Sequence, residues 1–281
     1  MHALTTESIP SGGMQYFYHR NATFLLTMTQ TNSISRDYFA NRRTIRRYSD
    51  RPVSDALLAD LIERACHAPT TGNMQLYSII VTRSEEQKRL LAPCHFGQPQ
   101  IEGAQVVLTF CADFHRMSRW CEERDAVPCY DNLQSFIAAA IDTIAIAQQF
   151  NTLAEQAGLG VCWLGTTTYN APQIAEALRL PELVVPMITL TVGYPAEEGV
   201  DTGRLPLAAI IHSEHYNEYS PERINQLYAG KEARADSRGF VEENGKTTLA
   251  QVFTDVRYPR HNNEHFSEVF LDFLKKAHFL H

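Results

Sequence analysis

Arg42, Arg43, Arg46, Arg47 and Arg51 fall within ten residues of a 281-residue chain whose formal net charge is -7, and they are five of its 25 Lys and Arg. Guanidinium groups gathered in an acidic protein suit a strongly anionic partner. A phosphate, whose oxygens match the planar fork two at a time, is the first candidate. The competing reading is a solvated, salt-bridged surface around a helix start. Two other patterns invite chemistry. His261-Asn262-Asn263-Glu264-His265 fits H-x-x-E-H, in which histidines at i and i+4 on one helix face bind zinc for hydrolysis. Only Glu268 and Asp272 follow as acidic candidates for a further ligand, and Asn262-Asn263 make a poor helix start, so zinc is the weaker reading. Gly239 to Thr247 resembles a P-loop, but five residues separate Gly239 from Gly245 where four are required, and two of them are glutamates that repel a triphosphate. Gly158-Leu159-Gly160 lacks the third glycine of a dinucleotide fingerprint, with Trp163 in its place.

The elements that must position these residues are legible from about residue 36. Ser54 reads as an N-cap preceded by Pro52, and Leu57, Leu58, Leu61, Ile62 and Ala65 follow at helical spacing. The breaker cluster Ala68-Pro69-Thr70-Thr71-Gly72-Asn73 stops that helix. Residues 77–82 read as a strand, and 105–111 as a second, so continuously apolar that both of its faces must be covered. Leu133, Phe136, Ile137, Ala140, Ile141, Ile144 and Ala147 predict a long helix, apolar around much of its circumference and ending at Gly158. Residues 161–164 and 187–192 supply two more short buried strands. These predict an α+β or α/β layer fold, a mixed sheet around a central buried helix.

Composition bounds the rest. At 44% hydrophobic the chain can build a substantial core, and no run approaches the ~20 apolar residues of a membrane span. The acidic balance argues against nucleic-acid binding. Six scattered cysteines without a C-x-x-C pair need no disulfide framework and suit a reducing cytoplasm. Residues 1–35, rich in Ser, Thr, Gly and Asn and without a signal-peptide pattern, are expected to be a flexible tail, with Met14 and Met28 as alternative starts. Residues 36–211 read as the core, and 212–281, polar with a last amphipathic stretch from Phe266 to Leu280, as an extension wrapped on it.

One ordered set of motifs ties these readings together. Arg42-Arg43-Thr44-Ile45-Arg46-Arg47-Tyr48 is followed by Ala68-Pro69-Thr70-Thr71-Gly72-Asn73-Met74-Gln75 and Gly97-Gln98. Gly158-Leu159-Gly160-Val161-Cys162-Trp163-Leu164-Gly165, Gly193-Tyr194-Pro195 and Gly203-Arg204-Leu205-Pro206 complete it. In this order the motifs resemble the FMN-dependent nitroreductase family over roughly residues 36–215. Phe110-Cys111-Ala112-Asp113-Phe114 and the long C-terminal extension look most like its NADPH-preferring branch of oxygen-insensitive nitroreductases and flavin reductases.

The resemblance implies a three-layer α/β/α sandwich with a mixed central sheet, a homodimer joined along the long helix, and a C-terminal extension wrapping the dimer. It also implies an FMN oxidoreductase that takes two electrons from NADPH. By a ping-pong mechanism it passes them to a small-molecule acceptor, such as a nitroaromatic, a quinone or free flavin, with no catalytic side chain and no metal. Arg42, Arg43, Thr44 and Arg46 match FMN-binding positions: Arg42 or Arg43 with Arg204 for the phosphate, Arg46 for the pyrimidine side of the ring. Thr70, Thr71 and Asn73 match the loop at the ribityl chain and ring edge, and Gln98 a glutamine near them. Trp163, Leu164, Gly165 and Thr166 match the segment passing the ring. Two positions depart from the pattern: Thr166 stands where Gly is usual, and Thr202 where a Lys or Arg is usual, which removes one charge-assisted contact worth about 1.5–3 kcal/mol. Lys231, Arg234 and Arg238 are candidates for the 2′-phosphate of NADPH. The alternatives are a flavin-binding or flavin-consuming relative without NADPH turnover, and the zinc hydrolase built on His261, Glu264 and His265.

Overall fold

The computed structural model describes residues 36–281, so the expected tail over 1–35 lies outside the described residues. In chain order the elements begin with α1 (Arg36–Asn41), α2 (Asp55–Ala65), β1 (Tyr77–Thr82), α3 (Glu85–Leu91), α4 (Gln100–Gly103), β2 (Val106–Asp113) and α5 (His115–Glu122). They continue with α6 (Leu133–Gln156), β3 (Gly160–Leu164), α7 (Ala171–Leu178) and β4 (Val184–Gly193). The chain closes with α8 (Pro221–Glu232), α9 (Ala235–Glu243), the short α10 (Leu249–Gln251) and α11 (Arg260–Lys276).

The four strands lie in the order β1-β2-β4-β3. Every residue of β2 is buried, and the reason is visible in its alternation. Val106, Leu108 and Phe110 face α2 and α6 through Leu61, Ile146 and Phe150, while Val107 faces Leu91, Ile101 and Ile174 from α3, α4 and α7. Helices on both sides of one sheet make the expected α/β/α sandwich of an α+β fold. The sheet itself corrects one expectation. All three pairings are antiparallel rather than mixed. A strand apolar on both faces reads the same in either direction; here β1 and β2 are joined by the short α3 and α4, and β4 lies between β2 and β3.

The long helix is apolar around much of its circumference, as expected, but one chain covers only one of its faces. Asn132 caps it, its side chain accepting from the Ser135 amide at 3.0 Å. One face buries Phe136, Ala139, Thr143, Ile146, Ala147 and Phe150. Leu133, Ile137, Ile141 and Ile144 form an opposite apolar stripe, 40–59% exposed. At the C-terminus Leu274, Ala277 and Phe279 are buried in a cluster with Leu76, Phe114 and Phe136, so α11 is sewn into the core. Among the described residues no helix is long and apolar enough to cross a membrane.

Candidate functional site

The arginine segment is held across one end of the sheet by its apolar residues. Gly160 and Gly193 pair across β3 and β4. Ile45 lies on the first and Tyr48 on the second so closely that a Cβ would stand 2.6 Å from Ile45 and 2.9 Å from Tyr48. The Ile45 amide donates to the Val161 carbonyl (3.2 Å), and the Ser49 amide to that of Tyr194 (2.9 Å). The Tyr48 hydroxyl lies 2.8 Å from the Ile45 carbonyl and the same distance from the Thr191 hydroxyl. With Ile45 buried and Tyr48 half-buried, Arg46 and Arg47 between them are exposed, while Arg42 and Arg43 are partly covered.

Each arginine then finds a different environment. Arg42 meets Glu155 of α6, 3.2 Å from Nε to Oε1, with both side chains largely covered. Arg43 donates to the Arg42 carbonyl at 3.0 Å and reaches Asp201 only at 3.9 Å. Glu197 accepts from the backbone amides of Arg46 (2.7 Å) and Arg47 (3.2 Å) and from Nε of Arg47 (2.9 Å). These donors, the Arg46 amide foremost, hold its carboxyl below the usual range. Arg51 lies over the Tyr194 ring, 3.7 Å from its centre. Arg47 and Arg51 thus face solvent yet also pin the segment to Tyr194 and Glu197. Burial raises the Cys162 thiol, while the nearby guanidiniums of Arg46 and Arg42, and Gln100, oppose that shift.

Arg204 is exposed and, among the described residues, donates to the Thr202 hydroxyl (3.1 Å) and the Gly203 carbonyl (2.6 Å). Asp201 lies between it and Arg43. Its carboxyl is held low by the Gly203 amide first, and by Arg43, Arg234 and Arg204 in turn. Arg204 shares a pocket of about 480 Å³ with Thr202, Ile210, Lys231 and Arg234. Arg238 sits elsewhere, beside Glu232 and Glu242. Arg43 reaches this exposed carboxylate only loosely, and Arg204 bonds to neutral oxygens alone among the described residues, so both keep donors for an anion, which is the chemistry a phosphate monoester requires.

The Thr70–Asn73 loop is organised from beneath by Asp142, a fully buried carboxylate on α6. It accepts from the Thr71 amide (2.8 Å), the Thr71 hydroxyl (3.0 Å) and the Leu76 amide (3.2 Å). Three hydrogen bonds satisfy this carboxylate on an otherwise apolar helix and give it a structural role. Gly72 and Asn73 both take positive φ, leaving Thr71, Gly72 and Asn73 exposed. A second polar group joins Gln98 to Thr166. Gln98 Nε2 lies 3.5 Å from the Thr166 hydroxyl, and Gln100 donates to Gln98 Oε1 at 2.7 Å. Trp163 donates from its indole to Asn151 of α6 at 2.9 Å. Leu164 is buried, whereas Gly165 is exposed. Thr44 makes an isolated bridge to Val200. Among the described residues no hydrogen bond or ion pair joins the Thr70–Asn73 loop to the arginines or to Gln98.

The decoy motifs are otherwise engaged. Glu264 pairs with Arg260 at 2.6 Å, and the His265 ring lies against Phe266. Lys246 pairs with Asp255 at 3.0 Å. Sequence reasoning missed Glu155, Glu197, Asp201 and His95. The first three partner arginines more than 100 residues away, and no local pattern announces them. His95 had a weak signal: a polar residue three places before Gln98.

The pattern of the Nitroreductase family matches residues 39–194. A solved Bacteroides fragilis structure is 54% identical, covering 87% of this chain and all of its own, with a TM-score of 0.86. A Bacillus subtilis protein named FMN reductase (NAD(P)H) is 30% identical over 234 residues, 78% of this chain and 90% of its own. The oxygen-insensitive NADPH nitroreductase of Salmonella typhimurium is 29% identical over 185 residues, 66% of this chain and 74% of its own. The family match runs from the residues just before the arginine segment to the end of β4, more than half of the chain, and the chain is a member of the nitroreductase family.

Proposed function

We propose that this chain is an FMN-dependent NAD(P)H oxidoreductase that passes two electrons to small organic acceptors by a ping-pong mechanism. The observation that carries the reading is the pair Arg43 and Arg204. Both stand beside Asp201 with donors to spare, at the end of a family-matched sheet. These two residues hold the FMN phosphate, and Arg42 supports them from its ion pair with Glu155. Thr44 and Arg46 flank the isoalloxazine. Gln98, Trp163, Leu164, Gly165 and Thr166 line its edge, and Thr70, Thr71 and Asn73 contact the ribityl chain. FMN, when bound, supplies the hydride chemistry, so the side chains are left to bind, orient and screen.

Among the described residues of one chain, no hydrogen bond or ion pair joins the polar loop on Asp142 to the arginine segment. A homodimer joined along Leu133, Ile137, Ile141 and Ile144 resolves this by bringing one copy's loop to the other's arginines. Lys231, in the pocket with Arg204, takes the 2′-phosphate of NADPH; Arg234 lines the same pocket but is already paired with Asp236 at 3.0 Å, and Arg238 lines a different pocket. The six free thiols fit a cytoplasmic location. Initial-rate kinetics with NADPH and a quinone or nitroaromatic test the mechanism: parallel double-reciprocal lines are expected, and intersecting lines contradict it.

A further inference from the structure

His95 is fully buried and belongs to no motif. It precedes the left-handed pair Phe96 (φ 55°) and Gly97 (φ 65°), which turns the chain so that Gln98 faces the Thr166 turn. The same turn is tethered to the His95 loop by Asn170, which donates to the Cys94 carbonyl at 2.7 Å. His95 Nδ1 lies 2.9 Å from the Thr166 hydroxyl oxygen. Among the described residues no protein group hydrogen-bonds its buried Nε2.

The hydrogen-bond inventory around Thr166 is restrictive. Gln100 donates to Gln98 Oε1 at 2.7 Å, and Gln98 turns its Nε2 toward the Thr166 hydroxyl at 3.5 Å. In that orientation Gln98 donates there. A neutral imidazole carries its proton on one nitrogen. A proton on Nε2 would be a buried donor without an acceptor, the rarer and costlier orphan. A proton on Nδ1 is used at once on Thr166. The hydroxyl oxygen then accepts from both His95 and Gln98, and its own hydrogen has to point away from both.

We propose that His95 is a positioning residue of the flavin site: its Nδ1–H and the Gln98 amide fill the Thr166 oxygen, and the Thr166 hydroxyl is left to donate to an acceptor atom of bound FMN. The inference rests on the flavin reading above and assigns a use to a side chain that stands where the family usually has glycine. Burial lowers the His95 imidazole from 6.5 to about 4, which keeps it neutral across the physiological range.

Two measurements on the apo-protein test the proposal. Titration with FMN, read by quenching of flavin fluorescence, compares the parent with T166S, T166V, H95A, H95N and H95A/T166V. Loss of one donated hydrogen bond predicts about tenfold weaker binding for T166V and little change for T166S. H95A should weaken binding comparably. H95N, whose amide N–H can replace Nδ1–H, should recover most of it, and the double variant should bind no more weakly than T166V. T166V binding as tightly as the parent, or losses that multiply in the double variant, would overturn the proposal while leaving the flavin reading intact. A parent that binds no FMN would overturn both. Nitrogen-15 spectra, with His95 assigned by its absence in H95N, should show Nδ1 protonated between pH 6 and 8. Protonation at Nε2 would overturn the proposal even if H95A failed to fold.

Discussion

A guanidinium serves a phosphate only where no carboxylate has already claimed it, and that distinction sorts the arginines of the 42–51 segment. Arg47 is claimed by Glu197 and Arg51 is spread over Tyr194, whereas Arg43 meets a carboxylate only at 3.9 Å and Arg204 bonds to neutral oxygens through one nitrogen. Arg204→Ala should therefore weaken FMN binding by about 1.5–3 kcal/mol, roughly 10- to 150-fold in Kd. Arg43→Ala should have a comparable effect. Arg47→Ala removes an ion pair whose arginine is 78% exposed, so its affinity should stay within a few-fold of the parent's. Fluorescence titration of the apo-variants measures all three, and equal losses would mean that the cluster acts as an undifferentiated cationic surface. At this scale the sequence was half legible. Five arginines in ten residues announce an anion, and the motif order announces which. Glu155, Glu197 and Asp201, which divide the labour among them, are brought in only by the fold.

At the scale of elements, burial on both faces made the strands readable: β1 begins and ends where its apolar pattern does, and β2 extends only two residues past its expected end. The Ser54 cap also stands as read, its side chain accepting from the Leu57 amide at 3.2 Å. Strand direction was not readable, because a run apolar on both faces looks the same in either orientation. The element with most influence on the site is the glycine pair beneath the arginine segment. Gly160→Ala places a methyl 2.6 Å from the Ile45 side chain on a sheet that cannot yield. Overpacking of that kind should cost about 1–3 kcal/mol in urea unfolding. It should also lower flavin occupancy by lifting Arg43 and Arg46 from the sheet. Unchanged stability and occupancy would show that the close approach does not set the position of the segment.

At the scale of the whole molecule, α6 carries two apolar faces and a single chain covers only one. Ile141, 59% exposed in the middle of the stripe, is the position most exposed to a partner's absence. Ile141→Glu should convert a sedimenting dimer to monomer. Because the Thr70–Asn73 loop makes no bond to the arginines within one chain, it should release the flavin at the same time. A monomeric parent, or a dimeric variant that keeps its flavin, would contradict the shared site. The one measurement that bears most directly on the central claim needs no variant. The purified protein should be yellow, absorbing near ~450 nm. Under anaerobic conditions NADPH should bleach that band, and a quinone or nitroaromatic added after the nucleotide is spent should restore it. A flavin band that NADPH leaves unchanged would leave a binding relative without turnover, and a colourless protein that takes up no FMN would contradict the account outright.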